Sequence, residues 1–166
     1  MFKVNDYVVY GSTGVCQITG ISKYKYNGSN ETEYFVLQPV FSNTTLTIKT
    51  PVNNPSPAMR AIITKDDILA LIAIMPEIEP ISEDRGKQRS DSFKAALRTG
   101  EQEEWIKIIK TLYLEKKANS TANKKLTKTD EAIMNIAEKQ LYEEFAIALN
   151  ISPDEVLPFI FEHVPE

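Results

Sequence analysis

Two side chains carry the chemistry of a nucleophile or a proton shuttle at neutral pH: Cys16 and His163, the single cysteine and single histidine of the 166-residue chain. A cysteine–histidine dyad needs thiolate and imidazole within hydrogen-bond reach. Here Cys16 lies in a β-type run and His163 lies almost at the last residue. One cysteine also excludes a disulfide framework, or a multi-cysteine metal site, within one chain. No glycine pattern cradles a phosphate or a dinucleotide. The stretch GSTG has the spacing of an RNA-binding G-x-x-G clamp, but that clamp joins helices. Here it separates two strand-like runs and reads as a turn. The acids of TKDD and SPDE stand where helices start, which capping explains. The sequence reads as a non-enzyme with no cofactor, no metal and no small-molecule substrate.

The remaining chemistry is electrostatic. From Arg85 to Lys128 there are 12 basic and five acidic residues, a local +7 in a chain of formal charge -4. Arg85, Lys87, Arg89, Lys94 and Arg98 form its dense start. Segregated lysine and arginine suit a polyanion, because they neutralise phosphates and release counterions without selecting sequence. They also suit a solvated helix face laced with i, i+4 pairs. A net acidic protein is repelled by nucleic acid, so a contact made by this cluster is weak unless a partner holds the protein there.

These residues need elements to position them. Up to about residue 60 short β-type runs alternate with turns: KVNDYVVY, GSTG, VCQITGISKYKY, the hairpin signal Asn27-Gly28, EYFVLQPV and TLTIKTPV. Along the last run Leu46 and Ile48 share one face while Thr45, Thr47 and Lys49 share the other. Strands this short, with no helix between them, imply a small, bent antiparallel β-barrel. Then PVNNPSPAMR reads as a connector. From Thr64 the period turns helical. Helices are expected over DDILALIAIM, 85–98, 101–117 and about 127–149, with ANSTANKK as a polar loop. Trp105, Ile108, Ile109 and Leu112 recur at helical spacing, as do Met134, Ala137, Leu141 and Phe145, so Trp105 reads as core. Ser152, Pro153 and Glu155 form a capping-box start, and Pro158 makes the last helix short or kinked. The fold class is α+β: residues 1–57 a β domain, 58–63 a linker, 64–166 a compact all-α domain of about five helices. With no leader-like start and no long apolar run, the expected setting is cytoplasmic, without membrane contact.

The stretches FKVNDYVVYGSTGVCQITGI, EYFVLQPV and LTIKTPV, followed by FKAALRTG, IKIIKTLYLEKK and LTKTDEAIMNIAEKQLYEEFAIAL, resemble the CarD/CdnL family of bacterial transcription regulators. The likeness covers roughly residues 1–150. It implies a Tudor-like barrel that docks on the RNA polymerase β subunit, and a helical domain that touches promoter DNA at the upstream edge of the bubble. Basic barrel side chains grip the polymerase in that family. By resemblance these fall at Lys49 beside Pro51, and at Lys23, Tyr24 and Lys25. Two departures stand out. Asn5 replaces the usual glycine, and asparagine tolerates a left-handed backbone. At the position of the tryptophan that wedges the minor groove, this chain has Arg89. A guanidinium grips phosphate or a narrow groove and does not unstack bases. The DNA-facing set implied is Arg85, Lys87, Arg89, Lys94 and Arg98, making a weak contact that polymerase assists.

Overall fold

A computed structural model describes residues 2–25, 31–42, 45–81, 86–121 and 125–165, the side chain of 121 excepted. The Asn27-Gly28 turn signal, Arg85 and Lys124 lie outside the described residues. The chain divides into two units, Met1–Ile62 and Ile63–Glu166.

The first unit is a five-stranded antiparallel sheet of β1 (Tyr7–Tyr10), β2 (Gly14–Tyr24), β3 (Thr32–Pro39), β4 (Ile48–Pro51) and β5 (Met59–Ala61). The strand order is β4-β3-β2-β1-β5. Among the described residues the two outer strands do not pair with each other, so the small bent β-fold that was expected is an antiparallel sheet that does not close into a barrel. Residues 58–63, expected as a linker, instead hold β5, whose Met59, Arg60 and Ala61 pair with Tyr10, Val9 and Val8 of β1. The prolines of PVNNPSPAMR mark the turn into that strand, not the end of the unit. Ser56 N donates to Thr50 Oγ1 at 2.8 Å and Met59 N to Ser56 O at 3.0 Å, which closes the turn.

Val8, Cys16, Ile18, Phe35, Leu37 and Met59 make the core of this unit, with Tyr10, Ile48 and Val52 packed on it. Burying each large apolar side chain contributes roughly 1.5–3 kcal/mol. Leu46, expected to share the inner face with Ile48, is 72% exposed, because β4 begins only at Ile48. Asn5 has φ 79°, the left-handed backbone that its residue type tolerates, and its N–H reaches Ile18 O at 2.7 Å.

One irregularity controls the sheet faces. The register of β2 against β3 shifts between Ile18 and Gly20, so Thr19 is an extra residue, and its hydroxyl donates to Val36 O at 3.3 Å. A bulge bends its strand and increases local twist. It also inverts the alternation beyond it. Ile18 lies opposite Leu37 and Ile21 opposite Phe35, both on the core face, although they are three residues apart.

The second unit holds five α-helices among the described residues: α1 (Lys65–Ile74), α2 (Lys87–Thr99), α3 (Gln102–Thr121), α4 (Lys128–Leu149) and α5 (Val156–His163). Two T-x-x-D starts cap as their sequence implies. Asp67 N donates to Thr64 Oγ1, and Asp130 N to Thr127 Oγ1, both at 3.1 Å. Gly100 ends α2 with φ 70°. Helix α3 runs further than expected, through Ala118, Asn119 and Ser120. Asn119 is 7% exposed there, and the Ser120 hydroxyl donates to Lys117 O at 2.8 Å, a bond made within the helix and not in a turn. Trp105, Ile108, Leu112, Ala137, Leu141 and Phe145 are buried as their spacing implies. Glu144 is fully buried. Its Oε2 accepts from Ile63 N and Gln102 Nε2, both at 2.9 Å, and so pins the start of the unit to α3 and α4. Helix α5 is short, as expected. Pro158 sits in its first turn, where a missing N–H costs no helical bond.

Helix α4 ends in a Schellman turn. Asn150 is left-handed at φ 57°, its N–H meets Ile147 O at 3.3 Å, and Ile151 N meets Ala146 O at 3.0 Å. Asn150→Ala is expected to lose about 1 kcal/mol of stability through left-handed strain, and Asn150→Gly to lose none. Urea unfolding of the two variants checks this.

Candidate functional site

Residues opposite one another in register share a sheet face. Lys49 pairs with Val36, and Val36 with Gly20; Pro51 pairs with Tyr34, and Tyr34 with Ser22; Thr32 pairs with Tyr24. All of these therefore lie on the face opposite Phe35 and Leu37. By simple alternation from Cys16 and Ile18, Tyr24 would point to the core side. The bulge at Thr19 turns it to the side of Lys49. Tyr24 and Lys49 stand roughly 16 Å apart on that face by strand spacing and rise, with Tyr34 and Val36 between them. Tyr24 is 55% exposed, Lys49 is exposed, and Tyr34, Val36 and Pro51 are half-buried. Lys23 pairs with Glu33 on the opposite face, and Lys25 lies just past the end of β2. The structure thus sets Tyr24, Lys49 and Pro51 on one face and Lys23 on the other. Tyr34 and Val36 escaped the sequence analysis. Their signal is the alternation in EYFVLQPV, but both of its faces carry apolar side chains, and only the pairing of Leu37 with Ile18 says which one meets the core.

Helix α2 carries the basic cluster. Its buried residues are Arg89, Phe93 and Ala96. At about 100° per residue these three fall within about 60° of arc, and Lys87, Lys94 and Arg98 fall within about 40° on the opposite side. All three of those cations are exposed, with exposed Asp91 among them. Spacing sets Asp91 one turn from both Lys87 and Lys94, which partly offsets their charge. From Lys87 to Arg98 the stripe is about 16 Å long by helical rise.

Arg89 departs from expectation. It is 7% exposed, so it leaves the DNA-facing set. Its Nη2 lies 3.0 Å from Glu115 Oε2 on α3 and 2.7 Å from Asp130 Oδ2 on α4, and its guanidinium stands 5.2 Å from the centroid of the Phe93 ring. The sequence hid this because Glu115 and Asp130 lie 26 and 41 residues away. Only the packing of three helices brings them to one arginine, whose Nη2 donates to both carboxylates at once.

The groups considered for catalysis have other roles. Burial pushes the Cys16 thiol up to about 11, which keeps it protonated and unreactive at neutral pH. His163 stacks on Phe159 with centroids 4.2 Å apart, and its Nδ1 is 2.8 Å from Phe159 O. No cluster of metal-ligating side chains occurs among the described residues. None of the described helices is long and apolar enough to cross a membrane.

Residues 2–63 match the family model of the CarD-like/TRCF RID domain. The N-terminal unit belongs to the CarD-like/TRCF RID domain family. The matched range ends within two residues of the structural boundary and takes in β5. RID domains interact with the RNA polymerase β subunit and are protein-interaction domains, so the match supports a polymerase-binding regulator. A search of curated proteins finds no match.

Arg89→Ala removes the cation that two largely buried carboxylates share. It is expected to cost about 3 kcal/mol, read as a fall in the urea midpoint of the full-length protein. Arg89→Lys is expected to recover only part of that loss, because an ammonium lacks the planar fork.

Proposed function

We propose that this protein is a transcription regulator that docks on the RNA polymerase β subunit through its RID domain. We propose further that it then contacts promoter DNA near the upstream edge of the bubble through α2, changing the lifetime of the open complex. The match over residues 2–63 supports the docking half. The docking face is the one carrying Tyr24, Tyr34, Lys49 and Pro51. Aromatic side chains bring large area with few rotors to freeze, and an exposed lysine steers an acidic partner. Lys23, on the other face, and Lys25, past the strand, contribute less. Lys49→Glu is expected to weaken polymerase binding about tenfold, and Lys23→Glu by less than about threefold. Surface plasmon resonance with intact polymerase tests the pair. Equal losses would remove the assignment of a face.

The DNA half rests on the outward stripe of Lys87, Lys94 and Arg98. Three cations give little affinity alone. Tethering to polymerase raises their local concentration at DNA to about millimolar, where weak contacts count. Because Arg89 is spent on Glu115 and Asp130, the stripe grips phosphates and wedges no base step. Replacing Lys87, Lys94 and Arg98 by alanine is expected to flatten the dependence of log affinity on log salt by about one unit for each phosphate left without its cation. The measurement uses the polymerase–promoter complex, and an unchanged slope would refute the contact.

The second reading is a polymerase-bound adaptor without direct DNA contact. The observation that favours it is an apolar groove in the helical unit. Photo-crosslinking from position 94 within the promoter complex separates the two: adducts to DNA support the first reading, and adducts to protein alone support the second.

A further inference from the structure

The helical unit contains a groove lined by α3, α4, α5 and, just past α1, Met75 and Pro76, with a volume of about 390 Å³. Two members of the helical stacks that the core leaves half-buried, Ile109 on α3 and Met134 on α4, line it. Its rim exposes apolar surface. Tyr113 is 55% exposed, Leu157 40% and Phe161 69%. Monomeric proteins seldom leave aromatic and aliphatic side chains grouped around a concave site without a binding partner.

The polar groups of the groove are few. Of its two charged lining residues, Lys110 is already committed. Its ammonium donates to the carbonyls of Met75, Pro76 and Ile78 at 3.1, 3.0 and 2.6 Å. The other is Glu138, one turn from Tyr142 on α4. Burial raises the pKa of Glu138 in spite of the opposing charge of Lys116, so the carboxylate is short of compensation. The same burial, helped by Glu138, pushes Tyr142 up to about 12. A phosphate or carboxylate ligand would meet Glu138 as a like charge. A cation set beside it gains. A small molecule filling the cavity would leave the outer faces of Tyr113 and Phe161 in water, whereas a helical segment laid along the groove covers both. Methionine, tyrosine and phenylalanine are also the side chains enriched in protein interfaces, and methionine adapts to the shape of its partner.

We propose that this groove receives an amphipathic helix of a partner protein, its apolar side chains set between Tyr113 and Phe161 and a lysine or arginine placed against Glu138. This is the helix-in-groove mode of recognition. It requires nothing of the sheet unit, and it holds whether or not α2 meets DNA.

The test uses full-length protein, methyl-labelled at methionine and leucine, and two blocked amphipathic peptides of one length. One peptide is built from leucine and lysine, the other from leucine and glutamate in the same pattern. The leucine–lysine peptide is expected to saturate, shifting the methyl signals of Met75, Met134 and Leu157, and to bind more tightly than its glutamate counterpart. Phe161→Ala, at a mostly exposed position that leaves the fold intact, is expected to weaken binding about tenfold. Glu138→Gln is expected to reduce the lysine preference about fivefold. Glu33→Gln, the same charge change on the sheet unit, is expected to leave that preference unchanged. Equal affinity for both peptides, shifts confined to other surfaces, or no saturation up to millimolar peptide would each overturn the proposal. So would methyl shifts that follow protein concentration alone, since a second copy would then be the occupant.

Discussion

The helical half turns on one guanidinium. Helix α2 is mostly polar, and its buried contacts reduce to Arg89, Phe93 and Ala96. Two of these are apolar and hold the helix without fixing its rotation tightly. Arg89 supplies the direction. Its Nη2 reaches carboxylates on two other helices while the guanidinium lies over the Phe93 ring. A buried ion pair is a poor source of net stability, because desolvation offsets most of the attraction. Its geometric demand is strict, however. Turning α2 by one residue would swing the guanidinium away from both acids. With that rotation fixed, Lys87, Lys94 and Arg98 have one direction left, which is outward.

The sheet unit has its own constraint, the extra residue at Thr19. A strand that alternates without interruption from Cys16 would aim Tyr24 into the core face and Lys23 and Lys25 to solvent. The bulge reverses this and puts Tyr24 with Lys49 and Pro51. Both halves therefore follow one pattern. In each, one feature decides which side chains a surface displays: an extra strand residue in the sheet unit, a buried cation in the helical unit.

Much of the architecture was legible from residue types. The cap at Thr64 in TKDD, the stop before Gly100, the left-handed Asn5 and the core register of Trp105 each follow from local chemistry acting within a few residues. Most of what was not legible depends on distant partners. Strand β5 looks like a proline-rich connector until β1 is there to pair with it. The helical tail of α3 looks like a loop because its polar residues suit turns, although Ser120 bonds back to Lys117 within the helix. Arg89 looks like a surface cation until Glu115 and Asp130 arrive from other helices. The groove was invisible for a similar reason. Ile109 and Met134 sit in apolar stacks with their buried neighbours, and only packing shows that they line a concavity.

The function we propose divides labour between two surfaces: a sheet face for polymerase, and a helix face for DNA once the protein is held there. Hydrogen–deuterium exchange of the full-length protein bound to RNA polymerase, with and without promoter DNA, measures both contacts at once. The account predicts that β4 and the end of β2 are protected by polymerase alone, and that α2 gains protection only when promoter DNA is added. Protection of α2 by polymerase without DNA, or unchanged exchange in β4 on polymerase binding, would contradict it.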